Sequence, residues 1–168
     1  MTNIGIFSFS TKIGMVLLTG HGNDTTMTSF FEHQKSSFKR NYLKNLIVLA
    51  SADGSLKDEE KLLINKIGLR RGLKSWQIDE LFDTTDYKHE IFLPESMANK
   101  MNMLYDLMEL VYIDRQANEN EVDFIKDLLS AFQLKPEIMK ELTDLFKEGT
   151  PDARDWRDFV DEVCHIAA

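Results

Sequence analysis

Residues 46–64 read LIVLASADGSLKDEEKLLI, and residues 107–125, displaced by 61, read LMELVYIDRQANENEVDFI. In each stretch an apolar helical face runs into a short polar corner and a second apolar face follows. Asp53 and Glu60 stand seven residues apart at the first corner, as do Asp114 and Glu121 at the second. The match runs without a gap from Leu46–Asp83 onto Leu107–Asp144. It pairs Leu46 with Leu107, Leu49 with Leu110, Ile64 with Ile125, Leu73 with Leu134 and Leu81 with Leu142. The acids keep register with this apolar set. A repeat of that length predicts two related helical units packed on each other.

Outward from these stretches, apolar residues recur at spacings of three and four, the period of a helix. Phe38, Tyr42, Leu46, Leu49 and Ala50 mark one face of a helix ending near Ala52. Asp53-Gly54 stops it, because glycine enters the left-handed conformation that closes helices. Lys57 or Asp58 restarts the chain, and Gly72 ends that second helix. Ser75 is expected to cap a short helix through Phe82, and Pro94 to open a long one ending near Asp114. Another helix carries Val122 to Phe132, one starts at Pro136, and one follows Gly149-Thr150-Pro151. Trp76 and Trp156 are expected to lock their short helices to the core. The fold class is therefore all-α: a compact bundle of about seven helices. Residues 1–27 lack helical periodicity and read as a disordered or mis-called extension, with Met27 a natural start. Residues 28–168 form the single helical domain.

The 168 residues carry a net charge of −8 and 43% apolar side chains. That balance argues against a nucleic-acid backbone or an anionic membrane as the main partner. The apolar run Ile13–Leu18 is too short to span a membrane. Cys164 is the single cysteine, which excludes an intrachain disulfide and fits a reducing compartment. His21, His33, His89 and His165 are scattered without ligand spacing. Cys164 and His165 are neighbours in sequence and point to different sides of a helix. No glycine-rich phosphate loop, nucleophile elbow or zinc-protease pattern is present, so no enzymatic activity is expected.

The stretch from Leu49 to Glu60 resembles the A-x-A-D-G-x-x-x-x-x-E signature of the tellurite-resistance TerB-like domain. The stretch Leu110 to Glu121 resembles that family's second acidic motif, with Arg115 where glycine is common and Asn118 inside the loop. Leu93-Pro94 fits the same pattern, and the resemblance covers roughly residues 36–147. It implies an all-helical, cytoplasmic stress-response module whose acidic motifs take a metal ion.

Hard cations of the calcium or magnesium type need several converging oxygen ligands. Asp53 to Glu60 matches the second half of an EF-hand loop, but Leu49 and Ser51 occupy its first ligand positions, and Leu110 and Tyr112 do so in the second copy. Neither corner alone is an EF-hand. Two readings stand. Asp53, Glu60, Asp114 and Glu121 converge on one divalent cation or an acidic recognition patch, with Asp58 and Glu119 as neighbours. Alternatively the acids cap helix starts, where the macrodipole favours negative charge. Function would then be metal-independent binding of a protein partner, through the basic series Lys35, Lys39, Arg40, Lys44, through Arg70, Arg71, Lys74, or through the methionine-rich helix of Met97, Met101, Met103 and Met108.

Overall fold

The computed structural model describes residues 25–52, 54–85, 91–115 and 117–167, with side chains from Gln34 to His165. Seven helices and no strand occur among them: α1 Thr25–Ala50, α2 Asp58–Arg70, α3 Ser75–Thr84, α4 Met97–Val111, α5 Glu119–Ala131, α6 Ile138–Phe146 and α7 Ala153–Ala167. The all-helical expectation holds. The extension expected at 1–27 lies outside the described residues, except that Thr25–Met27 belong to α1.

Helices α1 and α4 are the central pair. They pack on each other, α1 also on α2, α3 and α5, and α4 on α2, α5 and α6. All five apolar pairs matched across the 61-residue displacement are buried. Helix ends recur at the same displacement: Ala50 and Val111 close α1 and α4, Asp58 and Glu119 open α2 and α5, and Arg70 and Ala131 close them.

The turn hydrogen bonds recur with the helices. Leu73 N donates to Gly68 O and Leu134 N to Leu129 O, each at 2.9 Å. Gly72 N donates to Leu69 O at 2.9 Å, and Gln133 N to Ser130 O at 3.0 Å. These are the crossed bonds of a Schellman closure, which requires a left-handed residue. Gly72 has φ +83° and Gln133 has φ +61°. Gly54 at φ +91° and Arg115 at φ +61° form a second such pair, one residue beyond each acidic position. Arg115 and Gln133 hold by side-chain-bearing residues a conformation that costs about 1–2 kcal/mol for an L-residue.

Several helix starts differ from expectation. Pro94 does not open α4; the chain stays irregular until Ser96, whose Oγ accepts from Asn99 N at 3.3 Å. A hydroxyl can satisfy an orphan amide of the first turn and a proline cannot. Lys74, not Ser75, holds the N-cap position of α3, where Lys74 N donates to Gln77 Oε1 at 2.9 Å. Helix α6 begins at Ile138 rather than Pro136, because the tighter bonds Met139 N to Pro136 O and Lys140 N to Glu137 O, both 3.1 Å, precede it. Helix α4 ends at Val111, short of Asp114.

Helix α7 is fixed by an aromatic cluster. Trp156 lies 4.9 Å from Tyr105 and 5.2 Å from Phe159, ring centre to ring centre. Trp156 therefore locks its helix as expected. Trp76 does not: it is 60% exposed. Met101, Met103 and Met108 are buried in the core of α4, which withdraws them as a binding face.

Candidate functional site

Three of the four predicted acids fall in one neighbourhood; Asp53 lies outside the described residues. Glu60 is 3% and Glu121 7% exposed, so both carboxylates are buried although each stands in the first turn of its helix. The burial follows from the local fold. The third helical position points the side chain back over the turn before it. Lys57 N donates to Glu60 Oε2 at 2.8 Å, and Asn118 N donates to Glu121 Oε2 at 2.9 Å. Asn118 returns the bond by accepting from Glu121 N at 3.0 Å, a full capping box. Lys57 has no acceptor on its side chain, so the first corner holds only the half made by Glu60.

The corners meet in space. Lys57 Nζ lies 3.5 Å from Asp114 Oδ2 and 3.9 Å from Glu60 Oε1, bridging the α1–α2 and α4–α5 turns. Glu121 is held above the ordinary carboxyl range, first by burial, then by the charges of Glu60 and Asp114; the Asn118 amide and Lys57 oppose the rise. Glu60, Asp114 and Glu121 thus form one electrostatic group of three carboxylates against the ammonium of Lys57. Among the described residues, no three His, Cys, Asp or Glu side chains are placed close enough to hold a metal ion as they stand. Asp58 and Glu119 are exposed first-turn acids, as helix-start chemistry predicts.

The sign of the Glu121 shift gives a pH prediction. A carboxyl raised in the folded state binds its proton more tightly there than in the unfolded chain. Its favourable contribution is full below the unfolded value and is lost as pH rises through the folded one. E121Q keeps an acceptor for Asn118 N and carries no charge. The variant is expected to equal or exceed wild-type stability near neutral pH, by on the order of 1 kcal/mol, with the gap closing on acidification. Urea midpoints at several pH values between 4 and 8 measure this; a pH-independent difference contradicts it.

Other sequence candidates resolve differently. Arg70 and Arg71 are tied to Asp106, a fully buried carboxylate on α4 that sequence reasoning passed over. Arg40 pairs with Glu80 at 3.0 Å. His165 Nδ1 lies 2.6 Å from Asp161 O along α7, so its bond runs back along its own helix rather than to Cys164. His89 lies outside the described residues, as do the side chain of His33 and the whole of His21. Among the described residues, no helix is long and apolar enough to cross a membrane. No known family, curated protein or solved structure matches the chain.

Proposed function

We propose that this chain is a non-enzymatic, TerB-like, cytoplasmic stress-response module built from two related helical units. Its two acidic corners supply one divalent-cation site of the calcium or magnesium type. The supporting observation is the pair of buried first-turn glutamates. Glu60 and Glu121 come from corners 61 residues apart, yet each corner's charge acts on the other, with Asp114 beside them. Helix capping explains one hydrogen bond to each glutamate. It gives no reason to bring two buried carboxylates and Asp114 together against the single charge of the Lys57 ammonium, an imbalance that a divalent cation would offset. The donor set is all carboxylate oxygen, the chemistry hard cations take. Glu60, Asp114 and Glu121 would hold the ion, with Asp53 the expected fourth ligand, and Lys57 would have to give way to it. The recurrence of hydrogen bonds and left-handed positions at the 61-residue displacement supports the two-unit reading.

The experiment is a thermal-shift and calorimetric titration with calcium, magnesium, manganese and zinc on wild type, Asp53→Ala, E60Q and E121Q. A cation bound to the native state raises the melting temperature as its concentration passes the dissociation constant. Wild type should rise and the three variants should not. No shift with any of the four cations up to millimolar concentration eliminates the site. The second reading, a metal-independent adaptor domain, then takes its place. It rests on the basic side of α1, since Met101, Met103 and Met108 are buried and Met97 alone of the methionine face is half-exposed.

A further inference from the structure

Between α1 and the first turns of α4 runs a groove of about 410 Å³. Phe38 and Tyr42 supply its apolar surface, Asn102 contributes from α4, and Lys35, Lys39 and Arg71 stand along it. No carboxylate is among the described residues that line it, although the whole chain carries a net charge of −8. Helical spacing produces this on α1: Lys35 and Lys39 are one turn apart, and so are Phe38 and Tyr42, so the cationic and aromatic rows run side by side.

The cations are positioned by their surroundings. The guanidinium of Arg71 lies 5.1 Å from the centre of the Tyr42 ring and is bonded to Asp106 at 2.7 Å. Lys39 Nζ sits over the C-terminal turn of α2, 2.9 Å from where a Cβ on Gly72 would stand, so the glycine leaves room for the ammonium. The carbonyl end of a helix favours a cation there. Phe38 is braced edge-on by Phe92 at 5.2 Å. The groove is thus an apolar slot with the lysines Lys35 and Lys39 on its margin, the charge of Arg71 being met by Asp106.

We propose that this groove binds a small organic anion: an aryl or acyl body carrying a carboxylate, sulfonate or phosphate. Charge complementarity selects the anion and the aromatic rows select the apolar body. The volume falls in the range of small-ligand sites, roughly 300–1,000 Å³. The inference does not depend on the acidic corners, none of whose residues lines the groove.

The test uses the full chain and 8-anilinonaphthalene-1-sulfonate as the probe, with uncharged N-phenyl-1-naphthylamine as its control. Binding is read by fluorescence titration and by amide NMR shifts. The sulfonate should bind at least about tenfold more tightly than the neutral arene, and more weakly as salt screens the lysines. Its shifts should map to Phe38, Tyr42, Arg71 and Asn102. The exposed-residue variant K35E and the double variant K35E/K39E should weaken the sulfonate progressively, by about tenfold for the pair, and leave the neutral arene unchanged. The single variant decides if the double one melts early. Equal affinity for both probes, or shifts that map to the exposed Leu62, Leu69 and Trp76, would overturn the proposal. So would failure of the sulfonate in the groove where an acidic amphipathic peptide succeeds, which would give the face to a protein partner.

Discussion

Asp106→Ala is expected to destabilise the fold by about 3–4 kcal/mol, toward the lower end of the cost of breaking a buried ion pair. Asp106 is 0% exposed and sits on α4 between the two central helices. Its Oδ2 accepts from Tyr42 Oη at 2.6 Å and from Arg71 at 3.1 Å (Nε) and 2.7 Å (Nη2); its Oδ1 accepts from Arg70 Nη2 at 2.7 Å. One carboxylate thus joins α1, the end of α2 and α4. Burial first, then Asp106, pushes the Tyr42 phenol well above its ordinary range, so it stays a donor. Burial disfavours the Arg71 charge, but Tyr42 and Asp106 outweigh that and hold it above its usual value. Deleting the carboxylate strands Arg71 half-buried. Arg70, more exposed and also 3.3 Å from Glu109, turns to solvent at little cost. For a domain of this size the loss is about 6–15 °C in melting temperature. Asp106→Asn should cost less, because an amide oxygen still accepts. The double change Asp106→Leu/Arg71→Met should recover most of the loss, since apolar residues of similar volume often replace a buried pair without penalty. Urea unfolding measures all three; a loss below about 1 kcal/mol in Asp106→Ala contradicts the account.

What was legible in the chain was what depends on local spacing. The apolar period gave the helices, and Gly54 and Gly72 marked stops because few other residues hold a positive φ. At Arg115 and Gln133 the same backbone is held by residues that carry side chains, so the residue type gives no such mark. The acidic corners were found because their acids repeat. Their meeting across the two turns depends on how α1 and α4 pack, which no spacing rule contains. Asp106 and Asn45 were missed for a narrower reason. The ungapped match begins at Leu46 and Leu107, and these two residues lie one position before it, themselves 61 apart. Each falls on the core face, Asn45 with Tyr42, Leu46 and Leu49, Asp106 with Met103, Leu107 and Leu110. A polar side chain at a core position of a helix is a signal, and one further residue of alignment would have exposed it twice. What each binds was not legible, because the partners come from elsewhere in the chain: the Phe92 backbone for Asn45, two arginines and a tyrosine for Asp106.

Asn45→Ala is expected to lose about 2–4 kcal/mol, concentrated in the segment before α4. Asn45 is 0% exposed. Its Nδ2 donates to Phe92 O at 2.6 Å and its Oδ1 accepts from Phe92 N at 3.0 Å, so one amide side chain satisfies both backbone groups of an irregular residue. Nδ2 also contacts Met103 Sδ at 3.4 Å. Alanine removes both bonds and leaves a half-buried N–H and C=O without the partner they had; each bond contributes about 1 kcal/mol and each orphaned group costs about 1–3 kcal/mol, reduced where water can enter. Asn45→Asp keeps an acceptor for Phe92 N, but it sets a carboxylate against Phe92 O and buries a charge, so it should lose as much as alanine at neutral pH. Asn45→Leu fills the space and still strands the Phe92 amide, and should recover only part. Two measurements separate this clasp from ordinary packing loss. Urea midpoints report the total. Hydrogen exchange at the Phe92 amide reports the segment, and its protection should fall well below that of core amides such as Leu107, because the segment opens without global unfolding. If Phe92 exchange follows the global stability in all three variants, Asn45 is merely a filled core position.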